Sequence, residues 1–162
     1  MTTVCPGFKL GDRRTDSWMM SRSRKGTTEL GRETLFASLV LAFVERDFET
    51  IGKALREDVV LVLPGSSPFA GVHRGAEAVG RFLLGLRQFV ISDEKALSYS
   101  HEGDELIASN DFLLHGPRHT VEMTMRVRVA FDEEGRIGEV FAEPDDVGLF
   151  DHVIVSTFST TA

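Results

Sequence analysis

The sequence is poor in cysteine, in long apolar runs and in positive charge. Cys5 is the only cysteine, so no disulfide can close within the chain, and its place in a polar N-terminal stretch argues against a catalytic thiol. No apolar run approaches the roughly 18 residues that a membrane-spanning helix requires. The N-terminus shows no compact apolar core of a secretory leader, so the expected compartment is the cytoplasm. A formal net charge of −7 leaves no broad basic surface for nucleic acid. The five histidines have no metal-ligand spacing. The glycines at 65, 71 and 75 lack the G-x-G-x-x-G pattern that cradles a dinucleotide. The expectation is therefore no metal, no other cofactor, no nucleic-acid partner and no membrane partner. No internal repeat is present.

What remains is an ordinary globular composition. With 162 residues, 42% of them hydrophobic, the chain is long enough for one domain with a substantial core. Residues 1–30 read as a disordered tail, 31–155 as a single α+β domain and 156–162 as a frayed C-terminus. The tail carries Lys9, Arg13, Arg14, Arg22, Arg24 and Lys25 against Asp12, Asp16 and Glu29. That balance suits either a solvated arm or a contact with an anionic surface. Trp18 is unusual for such a tail and suggests docking on the domain.

Helical periodicity starts near Glu33, with Leu35, Phe36, Leu39, Val40 and Phe43 on one stripe. Asp47 reads as the N-cap of a second, short helix whose inner side is Phe48, Ile51 and Leu55. Val59–Leu63 is β-branched and apolar, a strand that stops at Pro64-Gly65. A connector, Ser66 to Gly75, leads to a third helix with Val79, Phe82, Leu83, Leu86 and Val90 in register. From about residue 94 the period changes to two. Strands follow at 95–101, 105–115, 119–131 and 137–143, the last two joined by the Asp132–Gly135 hairpin. Residues 147–154 read as a short helix or cover. This order predicts a cone-shaped α+β barrel, with three N-terminal helices packed on a curved, mostly antiparallel sheet.

Alternation assigns the faces. Val121, Met123, Met125, Val127, Val129 and Phe131 share one face of their strand and turn inward. The opposite face carries Glu122, Arg126 and Arg128, and reads as a solvated or subunit-contacting surface. On the strand before it, Leu106, Ala108, Asn110, Phe112 and Leu114 turn inward, which makes Asn110 the one polar residue on that face. A register slip of one would instead bring Asp111 and Glu143 inside.

Four stretches carry a resemblance. They are Glu45-Arg46-Asp47-Phe48 with Leu55–Val60, the run from Pro64 to Val79 (PGSSPFAGVHRGAEAV), the Phe131–Ile137 hairpin, and Glu139–Asp151 (EVFAEPDDVGLFD). Across residues 33–152 the chain resembles the SnoaL-like group of the nuclear transport factor 2-like superfamily, which also holds ketosteroid isomerases and limonene-type epoxide hydrolases. The resemblance implies a pocket inside the cone. It also implies where the relatives' reactive groups would stand. The isomerase base falls on Leu63, its oxyanion-hole acid near Val127 and its tyrosine near Leu39. The hydrolase triad falls on Asn110, Phe112 and Ala142. None of these residues can perform the relatives' proton transfers.

The expected function is thus a SnoaL-like pocket for a small hydrophobic molecule, polyketide- or terpenoid-like. It either catalyses a cyclisation, isomerisation or dehydration through shape and orientation, or binds without catalysis. Leu63, Phe69, Asn110, Phe112, Met123, Met125, Val127 and Ala142 are the expected ligand contacts. Asn110 is the candidate to hold a ligand oxygen, and His73 in the connector to move a proton. Against these stand a buried structural amide and a surface histidine. His101, His115 and His119 fall at hairpin ends and are expected to be solvated. Asp145, Asp146, Asp151 and His152 are expected to serve turns and helix caps. A homodimer through the outer sheet face is the expected assembly. Met19-Met20 also offers a second translation start. Intact mass of the protein from its native host tests it, and a full-length product excludes it.

Overall fold

The computed structural model describes residues 28–118 and 120–161. Cys5, Trp18, Met19, Met20, the basic residues of the N-terminal stretch and His119 lie outside the described residues, as do the expectations attached to them.

Thr28 opens the first helix: its hydroxyl accepts the Gly31 amide at 2.9 Å, and α1 runs Glu29–Glu45. The helix starts ahead of its apolar stripe because the cap, not the stripe, sets the first turn. Arg46 ends it with φ 63°, its amide reaching back to the Ala42 and Phe43 carbonyls. The Arg87 guanidinium donates to the carbonyls of Phe43 and Val44 at 3.2 and 2.9 Å. A cation thus sits on the unsatisfied end of α1. Asp47 caps α2 (Phe48–Ala54) as read from the sequence, accepting the Thr50 amide and hydroxyl at 3.2 and 2.7 Å.

β1 (Leu55–Leu63) buries Leu55, Val59, Leu61 and Leu63 and exposes Glu57 and Asp58. β2 (Gly71–Arg74) pairs antiparallel along it, and α3 (Ala76–Leu86) follows. Then come β3 (Val90–Glu102), β4 (Glu105–His115), β5 (Thr120–Phe131), β6 (Ile137–Pro144) and α4 (Val147–Thr161). The sheet order is β2-β1-β6-β5-β4-β3. Only β1 and β6 run parallel; every other neighbouring pair is antiparallel. The α+β class and three-helix start are as expected, but the sheet is open, with β2 and β3 as its edges. α1 packs on β3 and β4, α3 on β1, and α4 on β4 and β6.

Several boundaries differ from the sequence reading. Val90 belongs to β3, where it pairs with Leu114, and not to the third helix. The helix stops at Arg87, and Phe89 and Val90 continue the apolar spacing only by coincidence of turn length. β2 went unread because four residues with two exposed ends of its burial pattern show no period. Leu55 starts a strand rather than closing a helix. The C-terminal cover is a full helix to Thr161, capped by Asp146, whose carboxylate accepts the Leu149 amide at 3.0 Å.

One long-range clasp joins the two ends of the domain. Pro64 stops β1, and Gly65 turns the chain with φ 116°. The Asp151 carboxylate on α4 then accepts the Ser66 amide at 2.8 Å, the Ser66 hydroxyl at 3.2 Å and the Ser67 amide at 3.2 Å. A Cβ at position 65 would stand 2.6 Å from both carboxylate oxygens. Asp151→Ala is expected to cost about 1.5–3 kcal/mol, the range for hydrogen bonds to a charged group. Gly65→Ala acts by pushing Asp151 off its amides, in addition to its own backbone strain. The two changes therefore overlap: Gly65→Ala should cost about 1 kcal/mol less in the Asp151→Ala background than in the parent. Urea denaturation of the four proteins checks this, and strict additivity would reject the clasp.

Candidate functional site

The apolar stripe of α1, the inner side of α3 and the concave face of the sheet do not meet completely. They leave a cavity of about 170 Å³. α1 contributes Phe36, Leu39, Val40 and Phe43; α3 contributes Val79, Phe82, Leu83 and Leu86. The floor is Asn110 and Phe112 of β4, Met125, Val127 and Val129 of β5, and Ile137, Val140 and Ala142 of β6. Among the described residues Asn110 is the only polar side chain in the lining, and it is 7% exposed. The volume lies close to the ~150 Å³ of an apolar cavity that takes up benzene. A single ring fits, and a charged group would lose its hydration with nothing in the lining to replace it.

Five of the expected ligand contacts meet here: Asn110, Phe112, Met125, Val127 and Ala142. The other three lie outside the lining. Leu63 and Met123 are buried in the core near the end of the cone that α4 covers. There the Phe150 ring packs edge-on against Phe112 at 6.5 Å. Phe69 lies behind the wall, against Gly85 of α3, where it forms an aromatic cluster with Phe82, Phe89 and Phe158.

His73 is also outside the lining. Its ring stacks on Phe82 at 4.7 Å, and its Nε2 stands 2.8 Å from the Phe69 carbonyl oxygen. A carbonyl only accepts, so Nε2 carries a proton committed to the connector backbone. The geometry gives His73 a role in holding β2 to the connector.

The register puts Asp111 and Glu143 on the exposed side and Asn110 inside, with Asn110 opposite Met125 and Phe112 opposite Met123. The slip that would have brought a carboxylate pair inward does not occur. Asp111 accepts the Thr124 hydroxyl at 2.8 Å on the outer surface instead. Of the six places where the resemblance put the relatives' reactive groups, Leu39, Asn110, Phe112, Val127 and Ala142 line this cavity and Leu63 does not. None is a carboxylate or phenol.

His101 is the residue the sequence reading missed. It was expected at a solvated hairpin end, but its side chain is only 13% exposed. Leu97, Tyr99 and His101 pair with Asn110, Ala108 and Leu106 and so share their inward face. The missed signal was this alternation, hidden by the nearby turn. His101 Nε2 is 2.7 Å from the Glu33 carboxylate on α1. The Tyr99 ring meets Phe36 edge-on at 6.4 Å. Burial pushes the Tyr99 phenol above its ordinary value, and the negative charge of Glu33 adds to the effect. His115, by contrast, is exposed as expected, with Nδ1 3.0 Å from the Thr120 hydroxyl. Among the described residues no three His, Cys, Asp or Glu side chains converge to hold a metal ion.

On the outer sheet face Arg128 lies between Glu105 at 2.6 Å and Glu102 at 3.1 Å, which raises its pKa further. Beside it, Val60, Val62 and Phe141 border a shallow groove, and Phe141 is 39% exposed. No described helix is long and apolar enough to cross a membrane.

No family model matches this sequence, and no curated protein matches it either. Solved structures match by shape. An NTF2-like protein from Burkholderia xenovorans superposes with a TM-score of 0.66 at 15% identity, covering 76% of this chain and 95% of that one. A steroid delta-isomerase from Pseudomonas aeruginosa gives 0.59 at 16% identity, covering 83% and 94%. A protein from Shewanella denitrificans, named as a SnoaL-like polyketide cyclase, gives 0.56 at 15% identity, covering 80% and 97%. At such identities the likeness is one of fold: this chain folds like these NTF2-like, SnoaL-like and steroid-isomerase structures.

Proposed function

We propose that this protein binds a small, uncharged, largely apolar molecule in the cavity between α1, α3 and the sheet. The observation that carries this reading is the lining: among the described residues it holds twenty, of which Asn110 alone is polar. An ionised ligand would need a counter-charge that the lining does not offer. A neutral one gains on the order of 25 cal/mol for each Å² of apolar surface it buries. Asn110 then supplies orientation, as a single amide in an apolar pocket commonly does.

A second reading is an enzyme that cyclises, isomerises or dehydrates a polyketide- or terpenoid-like substrate by holding it in a reactive shape. The names of the cyclase and isomerase neighbours favour it. The absence of a facing acid–base pair among the described cavity residues favours the binding reading. A homodimer through the outer sheet face belongs to either reading, supported by the exposed Phe141 beside the Arg128 ion pairs. Cytoplasmic residence is part of the same proposal.

Toluene is a suitable first probe because its size matches the volume. It should raise the thermal midpoint and shift the methyl resonances of Met125 and Ala142. Ala142→Leu fills the cavity at an overpacking cost of about 1–3 kcal/mol and should weaken toluene binding at least about tenfold. Unmoved methyl resonances at saturating toluene, or equal affinity in Ala142→Leu, would end the reading. Native mass spectrometry of the same protein reads the oligomeric state, and a monomer at micromolar concentration removes the dimer.

A further inference from the structure

Buried polar atoms are almost always hydrogen-bonded, and an exception calls for a reason. His101 Nδ1 is such an exception: it is shielded from solvent and has no partner among the described residues. The other ring nitrogen is committed. Nε2 lies 2.7 Å from the Glu33 carboxylate, which can only accept, so Nε2 carries the proton. In the neutral ring this leaves Nδ1 as a lone-pair acceptor, held in place by Glu33 and lacking a donor.

Its position relative to the cavity is defined by two elements. On β3, His101 lies two residues beyond Tyr99 on the same inward face, about 7 Å along the strand. On α1, Glu33 lies one turn before Phe36, a cavity residue. Phe36 lines the cavity and meets Tyr99 edge-on at 6.4 Å, so Tyr99 adjoins a cavity residue on the strand that carries His101. Tyr99 is only partly buried.

We propose that His101 Nδ1 accepts a hydrogen bond from a hydroxyl group of the ligand held in the cavity. This rests on the reading of the cavity as a binding site. It narrows the ligand to a neutral single-ring alcohol or phenol, with the ring on the apolar floor and the hydroxyl directed past Phe36 and Tyr99. A carboxylate in that place would meet the negative charge of Glu33, and a hydrocarbon would leave Nδ1 without a donor. Both are disfavoured by the same pair of residues.

The test compares p-cresol with 4-methylanisole, which has the same ring but no hydroxyl proton. By calorimetry the wild-type protein should bind p-cresol about tenfold more tightly, the scale of one hydrogen bond to an otherwise unpaired acceptor. His101→Phe keeps a ring and removes the acceptor, so the preference should fall to within about twofold while 4-methylanisole binding persists. Should His101→Phe fail to fold, the wild-type protein labelled with ¹⁵N-histidine still decides. The His101 Nδ1 resonance should move upfield with p-cresol and stay in place with 4-methylanisole. Equal affinity for the two probes, or an unmoved Nδ1 resonance at saturation, overturns the assignment and leaves the cavity reading standing. A preference that survives His101→Phe and disappears in Asn110→Leu also overturns it and places the hydroxyl on Asn110. Failure of both probes to bind overturns the cavity reading itself.

Discussion

The pairing of β4 with β5 decides everything else about the interior. It runs unbroken from Glu105 opposite Ala130 to His115 opposite Thr120. Because side chains alternate strictly, one residue of slip would exchange the two faces. With this register Asn110, Phe112, Met125 and Val127 point into the cone, and Asp111, Glu122 and Arg126 point out. The interior loses every carboxylate of these strands and keeps one amide. β3 inherits the same parity from β4, which is why Leu97, Tyr99 and His101 face α1. The sulfur of Met125, the amide of Asn110 and the imidazole of His101 are thus consequences of a single ladder.

The two ends of the cone are closed by different means. At one end α4 places Phe150 against Phe112 and reaches with Asp151 to the amides of Ser66 and Ser67. That end is packed, and its residues, Leu63 and Met123 among them, belong to the core. At the other end α1 is tied to the sheet by Glu33 and His101, and to α3 by the Arg87 contacts with the Phe43 and Val44 carbonyls. Between those two ties the α1 side chains that face the cavity, Phe36, Leu39, Val40 and Phe43, are apolar. Packing density is therefore uneven along the cone, and the free volume collects under the helix held by polar contacts at its extremities.

Much of this was legible in the sequence. The alternation of Val121 to Phe131 and of Leu106 to Leu114 assigned the inward faces, and the stripes of α1 and α3 assigned the helices that cover them. Five of the eight expected ligand contacts line the cavity for that reason: periodicity reports orientation directly. The errors have a common physical cause. Leu63, Met123 and Phe69 face the right way or sit in the right segment, but whether an inward residue meets space or another side chain depends on α4 and on the Phe69 cluster, which are long-range contacts. His73 stands outside the lining, and its partner is a backbone carbonyl four residues earlier, a contact that no pattern of side chains encodes. His101 was misread as a turn residue because proximity to Gly103 outweighed its parity with Tyr99. β2 is too short to carry a period.

The lining also bears on how chemistry could have left, or could enter, such a site. A lone carboxylate introduced at Val127 would be desolvated by apolar neighbours, and burial of that kind raises a carboxyl pKa by up to several units. It would then be protonated near neutral pH and could not act as a base. A working site needs a second group to stabilise the charge, placed at the same time and in the same register. Leu39, Val127, Asn110, Phe112 and Ala142 therefore form a self-consistent set: each is apolar or neutral because its neighbours are, and no single substitution restores the proton transfers that the resemblance associates with those places. In this chain the titratable pair stands instead at the margin, where His101 Nε2 donates to the Glu33 carboxylate across the α1–β3 contact. The fold accommodates charge where two elements meet near water and excludes it where they enclose space.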